Sequence, residues 1–326
     1  MDTPAAPRSK LPNVGTTIFT VIGDLAAKHQ ALNLSQGAPN FECDPRLIDR
    51  AVAAMRAGHN QYAPMTGLPA LRAAIADKCE RITGLRYDVD EEVTVVASAS
   101  QGLYAAIGGL VHPGDEVIYF DPAFDSYAPT IRLRGATPIA IKLTGEGFRI
   151  PWDQVAAAVT PRTRMIIVNT PHNPTATVLG ERDLERLAAL TRGTGIVVLS
   201  DEVYEHVVFD GATHHGMAQH RDLAARSVIV ASFGKSYHVT GWRVGYCLGP
   251  AALTVEIRKI HQFMMFAADT PMQYAFADML ADATTWRGLA AFYQRKRDLL
   301  ARELSGSRFE LLPSAGSFFM LARFRG

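Results

Sequence analysis

The stretch MIIVNTPHNPTATVLGERDLERLAALTRGTGIVVLSDEVYEH (165–206) holds two short apolar runs, at 165–170 and 195–201, with a helical pattern at 181–192 between them. Both runs are apolar throughout, not alternating, which implies strands buried on both faces. A strand, a helix and a second strand in that order form one parallel crossover unit. The same reading extends outward. VTVVAS (93–98), EVIYFD (116–121), SVIVAS (227–232) and RVGYCLG (243–249) are further strand candidates, and 101–111 and 251–266 carry helical spacing. The expected fold class is therefore α/β, with a mostly parallel sheet covered by helices.

On the N-terminal side the first forty residues are rich in Pro and polar residues, with one amphipathic segment at 18–28, and read as an arm. Leu47, Ile48, Ala51, Val52 and Met55 recur at helical spacing until Gly58, and 68–81 is a second helix that Gly84 ends. Beyond Pro271 the chain is helical again through Glu303 and ends in RFELL and SFFMLARF, which read as the opening strands of a smaller domain. The expected division is 1–40 as an arm and part of a small domain, 41–275 as the large domain, and 276–326 as part of the small one.

Composition removes several classes of function. Thirty-three Lys and Arg stand against 32 Asp and Glu, a net charge of +1, so neither nucleic acid nor an anionic membrane is expected as a partner. Cys43, Cys79 and Cys247 lie far apart and form no CxxC pair, which speaks against zinc or a disulfide framework and for a reducing compartment. MDTPAAPRSKLPNVG has no apolar leader core, the next apolar stretch is interrupted by Asp24, and the reading is cytoplasmic. Three motifs fail. Gly234-Lys235-Ser236 lacks the glycine a phosphate loop needs five residues earlier, where Ile229 stands. Gly193-Thr194-Gly195 precedes its strand, so it is no dinucleotide fingerprint. His214, His215 and His220 have no ligand spacing and read as a solvated loop.

What remains is a set of polar residues at the carboxyl ends of the strands, where ligands gather in an open α/β sheet. The five ends deliver Ser98-Ala99-Ser100 opening a helix, Phe124, Asn169 and Asn173, Asp201 with Tyr204, and Ser232 with Lys235. Each alone has an ordinary explanation. Lysines are mostly solvated, Asp201 would serve as a helix cap, Phe124 as core and Asn173 as a turn former before Pro174. Their convergence on one sheet edge is what asks for a ligand.

SDEVYEH (200–206), SFGKSYHVTGWRVGY (232–246), NTPHNP (169–174) and NQYAPMTGLPALR (60–72) together resemble the class I/II aminotransferases of fold type I, from about residue 34 onward. Ala176 after NPT and FDPAFDSYAP (120–129) resemble the methionine and kynurenine–glutamine branch. The resemblance implies a pyridoxal 5'-phosphate (PLP) enzyme that moves an amino group from a methionine-type or aromatic amino acid to a 2-oxo acid. It implies that Lys235 holds the cofactor as a Schiff base and then carries the proton at the substrate Cα. Asp201 would face the pyridine nitrogen, Asn173 and Tyr204 the ring hydroxyl, and Phe124 the ring face. The phosphate would sit on the N–H groups of Ala99 and Ser100 with Ser232 and Arg243 beside it, on a turn where Ser98 replaces the usual glycine. Tyr62 would reach the phosphate of a second subunit, making a homodimer with composite sites. Gly37 and Phe19, with Asn173, would line the substrate side. In the family an arginine that grips the substrate carboxylate follows the small-domain strands. No residue here matches it, Arg323 and Arg325 included. The same residues leave two alternatives open, a PLP carbon–sulfur β-lyase and a PLP-binding fragment without catalysis. A PLP-sensing regulator with a DNA-binding unit finds no room in the N-terminal arm.

Overall fold

The computed structural model describes residues 8–324. Seven strands build one sheet: β1 (Val93–Val96), β2 (Glu116–Asp121), β3 (Thr137–Lys142), β4 (Thr163–Asn169), β5 (Val197–Asp201), β6 (Ser227–Ser232) and β7 (Gly245–Leu248). Their spatial order is β1-β7-β6-β5-β4-β2-β3. The five strands from β6 to β3 run parallel, and β7 is antiparallel to both of its neighbours, β1 and β6. A separate antiparallel pair joins β8 (Phe309–Leu311) to β9 (Ala322–Phe324).

The expectation of two buried faces is met residue by residue. In β4, Ile166 and Val168 belong to one hydrophobic cluster and Met165 and Ile167 to the other, all at most 1% exposed. Strand geometry sends successive side chains to opposite faces, so both sides of the sheet are covered. Each such side chain contributes about 1.5–3 kcal/mol through burial. The helix Ala99–Leu110 supplies Leu103 and Ile107 to one cluster, while Pro69–Thr83 supplies Leu71 and Ile75 to the other. Local chemistry fixes the helix ends. Asp44 accepts from Arg46 N ahead of Pro45, and Gly84 closes its helix at φ +76°.

Two sequence expectations need correction. TPIAIK (137–142) escaped notice because it is the edge strand, starts beside a proline, and buries only Ile141 fully. SFFMLARF is not strand throughout: only Ala322–Phe324 is, and Phe318 and Phe319 turn inward, edge-on to the Tyr204 ring at 4.9 and 5.7 Å.

Candidate active site

A cavity of about 270 Å³ opens at the carboxyl ends of the parallel strands. Lys235, Asp201, Tyr204, Asn173, Phe124, Ala99, Ser100, Ser232, Arg243, Gly37 and Phe19 all line it. The structure thus brings together every predicted site residue but one. Tyr62 lies elsewhere in this chain, 83% exposed and edge-on to Phe266.

Lys235 follows β6 in the short helix Phe233–Ser236, whose first turn is fixed by Ser232 Oγ accepting from Gly234 N at 3.2 Å. Its amine donates to the Gly37 carbonyl at 2.7 Å and stands 5.2 Å from the Phe318 ring centroid. Burial pushes its pKa down to about 8, Arg243 pushes the same way and Asp201 opposes them. Gly37 lets the Phe319 ring come close, because a Cβ would meet Phe319 Cζ at 2.5 Å and push that ring away.

Asp201 ends β5 and is 4% exposed. Burial raises its pKa to about 6, although the Tyr127 hydroxyl donates to Oδ2 at 2.7 Å and Val203 N to Oδ1 at 3.3 Å. Among the described residues no cation forms an ion pair with it. Tyr204 is 2% exposed, and burial followed by the Asp201 charge keeps its phenol protonated far above the ordinary range.

The turn from β1 into the helix Ala99–Leu110 leaves the Ala99 and Ser100 N–H groups without an acceptor among the described residues. Ser98 stands at φ +87°, ψ 158°, a region that is almost glycine's alone, and its hydroxyl accepts from Gln101 N at 3.4 Å. Gly245 of β7 lets that strand approach the turn, since a Cβ there would lie 2.9 Å from Ala99 N. Arg243, at φ +53°, donates to Thr240 O at 2.9 Å and reaches the cavity from the same side.

Two side chains to which the resemblance gives no role brace the cavity. Asn169 Nδ2 donates to Asp201 O at 2.8 Å and its Oδ1 accepts from Asn173 N at 2.7 Å, which sets the ends of β4 and β5 relative to each other. Tyr127 braces Asp201, and its ring meets Phe124 edge-on at 5.7 Å. Both lie inside stretches the sequence reading singled out, but nothing in a sequence tells a bracing tyrosine from a packed one. The histidine loop also needs correction. His214 is half-buried and its Nε2 lies 2.9 Å from Glu202 Oε2, so a buried carboxylate, not solvent, holds it.

The model of the family described as aminotransferase class I and II matches residues 29–326. The chain is 50% identical over 319 residues to a methionine aminotransferase of Escherichia coli, covering 98% of this chain and 83% of the relative. A solved structure from that organism, described as identifying a methionine aminotransferase function, superposes with a TM-score of 0.96 over 98% of this chain and 84% of the other. A probable N-succinyldiaminopimelate aminotransferase of Mycobacterium tuberculosis is 38% identical over 96% of this chain and 80% of its own length. A kynurenine–oxoglutarate transaminase of Dictyostelium discoideum is 32% identical over 97% of this chain and 77% of its own length.

Proposed function

The chain belongs to the class I and II aminotransferases, which use PLP, and from that premise we propose that its amino donor is methionine or an aromatic amino acid and that the strand-end cavity is where transamination occurs. One observation carries the reading. Lys235 and Asp201 come from different strands to the same cavity, both desolvated, and neither forms an ion pair among the described residues.

The residues fit the cofactor. A buried carboxylate without a cation suits a protonated ring nitrogen, free N–H groups at a helix start suit a phosphate dianion, and an amine with pKa near 8 suits capture of an aldehyde. When bound, PLP supplies the aldehyde carbon that takes the substrate's amine and a ring that accepts electron density from Cα. The chain supplies the rest. Lys235 Nζ would move the proton at Cα, Asp201 would hold the proton on the ring nitrogen, and Tyr204 and Asn173 would donate to the ring oxygen. Phe124 would pack on the ring, and Ala99, Ser100, Ser232 and Arg243 would hold the phosphate. Gly37 and Phe19 border the substrate side. Tyr62 is exposed beside Phe266, and in this proposal it reaches the phosphate of a second copy in a homodimer. No helix among the described residues is long and apolar enough to cross a membrane, and we place the enzyme in the cytoplasm. Residues 41–275 form the cofactor domain in this reading, and 276–326 belong to the smaller one.

The methionine aminotransferase at 50% identity favours methionine among the donors. Nothing in the comparisons supports the carbon–sulfur lyase alternative. A panel of amino donors and 2-oxo acids tests the proposal. Methionine or an aromatic donor is expected to yield its 2-oxo acid only when an acceptor is added. Pyruvate and ammonia released from a cysteine conjugate without acceptor would overturn it.

A further inference from the structure

Behind the turn at 97–100 runs a chain of hydrogen bonds whose direction is fixed by its ends. The Gln101 side chain accepts from Ala97 N through Oε1 at 3.1 Å, so its Nε2 faces His261 Nδ1, 3.0 Å away. On the far side, His261 Nε2 lies 3.0 Å from the carbonyl of Met65. A carbonyl only accepts, so Nε2 carries the imidazole proton and Nδ1 accepts from the Gln101 amide. Each donor meets an acceptor only while His261 is neutral. It is 0% exposed, burial disfavours its charged form, and Arg258 on the same helix adds to that. The chain therefore ties the turn through the helix Ala251–Met264 to the segment 60–67, which is itself held to β1 by Val95 N donating to Thr66 O at 2.9 Å.

The turn needs such a brace. Ser98 adopts φ +87°, ψ 158°, a conformation that persists only where neighbouring bonds over-determine it. The Gln101 amide grips the peptide N–H immediately before it.

We infer that Gln101 and His261 are positioning residues for phosphate recognition: they hold the N–H groups of Ala99 and Ser100 in the direction an anion requires, without touching it. The inference rests on the proposed placing of the phosphate at this turn. PLP and pyridoxal, which lacks the phosphate, separate the two. The purified protein, stripped of cofactor, is titrated with each, following the visible absorbance, as wild type, His261→Leu and Gln101→Glu. His261→Leu is expected to weaken PLP roughly tenfold, about the value of one buried hydrogen bond, and to leave pyridoxal unchanged. Gln101→Glu has no donor for Nδ1, so His261 is expected to become doubly protonated at pH 7, visible in its ring ¹⁵N shifts, whereas the wild-type ring is the neutral Nε2–H form. Equal losses for PLP and pyridoxal, or no loss for either, would overturn the inference, as would a wild-type ring protonated on Nδ1. A wild type that binds pyridoxal as tightly as PLP would remove the phosphate-turn reading itself, and this inference with it.

Discussion

The segment 200–206 feeds two buried neighbourhoods, each with a lysine and a carboxylate, and they are built on opposite plans. In one, Lys78 forms an ion pair with Glu205, Tyr246 Oη accepts from Lys78 Nζ at 2.6 Å, and its hydroxyl donates to Glu205 Oε1 at 2.8 Å. Burial alone would raise the Glu205 pKa, but the Lys78 charge and hydrogen bond hold it down to about 2. In the other, Asp201 and Lys235 share a cavity without touching, and burial moves the carboxyl up to about 6 and the amine down to about 8. The first arrangement satisfies its charges and fastens the segment. The second leaves each hydrogen-bonded but without a counter-charge, which suits a ligand that supplies one.

The sharpest way to break this contrast is to remove each lysine. Lys235→Ala is expected to abolish turnover and the visible absorbance of lysine-bound PLP, read on the purified protein with cofactor added. Its cofactor-free form should melt no lower than wild type at pH 7. A lysine whose folded pKa lies below the unfolded value costs stability at pH below about 8, and that cost fades as pH rises toward 10.5. Persistent transamination in Lys235→Ala would end the site assignment.

Lys78→Met tests the other neighbourhood. It leaves the Glu205 carboxylate without its cation, a loss of about 3–5 kcal/mol at neutral pH, measurable as a lower denaturant midpoint. The sign with pH follows from Glu205. Its folded pKa of about 2 lies below the ordinary 4.5, so the stabilisation is complete above 4.5 and is lost as pH falls through 2. The gap between variant and wild type should therefore narrow in acid as the stranded carboxyl takes up a proton. A variant as stable as wild type at pH 7 would show that the ion pair fastens nothing.

The same contrast explains what could be read from residues alone. The strand ends were legible because a fully buried parallel strand has a plain signature, an apolar run stopped by polar residues, as in MIIVNT and GIVVLSD. TPIAIK was not, because an edge strand is half solvated and carries no such run. Within SDEVYEH, Asp201 and Tyr204 could be assigned, but nothing in their spacing says that Glu202 and Glu205 belong to a different neighbourhood. That depends on Lys78, 127 positions away from Glu205. Gln101 and His261 were invisible for the same reason, as their partnership exists only once two helices pack. Phe318 and Phe319 looked like strand because the run SFFM is apolar, whereas their rings turn in against Tyr204, Tyr293 and the bare Gly37.

Tyr127→Phe sharpens the comparison on the carboxylate side. The hydroxyl donates to Asp201 Oδ2, a bond to a charged group that contributes about 1.5–3 kcal/mol. Without it the Asp201 pKa moves further up, and more of the carboxyl is neutral at pH 7 before any ring nitrogen arrives. PLP affinity should fall roughly tenfold to a hundredfold at pH 7 and recover as pH rises past the shifted value. An affinity loss that stays constant from pH 6 to 9 would point to simple disturbance of Phe124 packing instead.

The smallest effect concerns the amine. Only the neutral form of Lys235 attacks an aldehyde, and its pKa in the empty cavity is about 8. The rate at which cofactor-free protein captures PLP should therefore climb about tenfold per pH unit below that value and level off just above it. A free surface lysine would go on gaining rate beyond pH 10, so the position of the plateau reports how dry the cavity is. Phe318 is the natural perturbation, since its half-buried apolar ring stands 5.2 Å from the amine. Phe318→Ala admits water, weakens the desolvation that lowers the amine, and should move the plateau upward. Stopped-flow absorbance between pH 6 and 10 reads both curves, and coincident plateaus would mean that the roof over Lys235 does not set its chemistry.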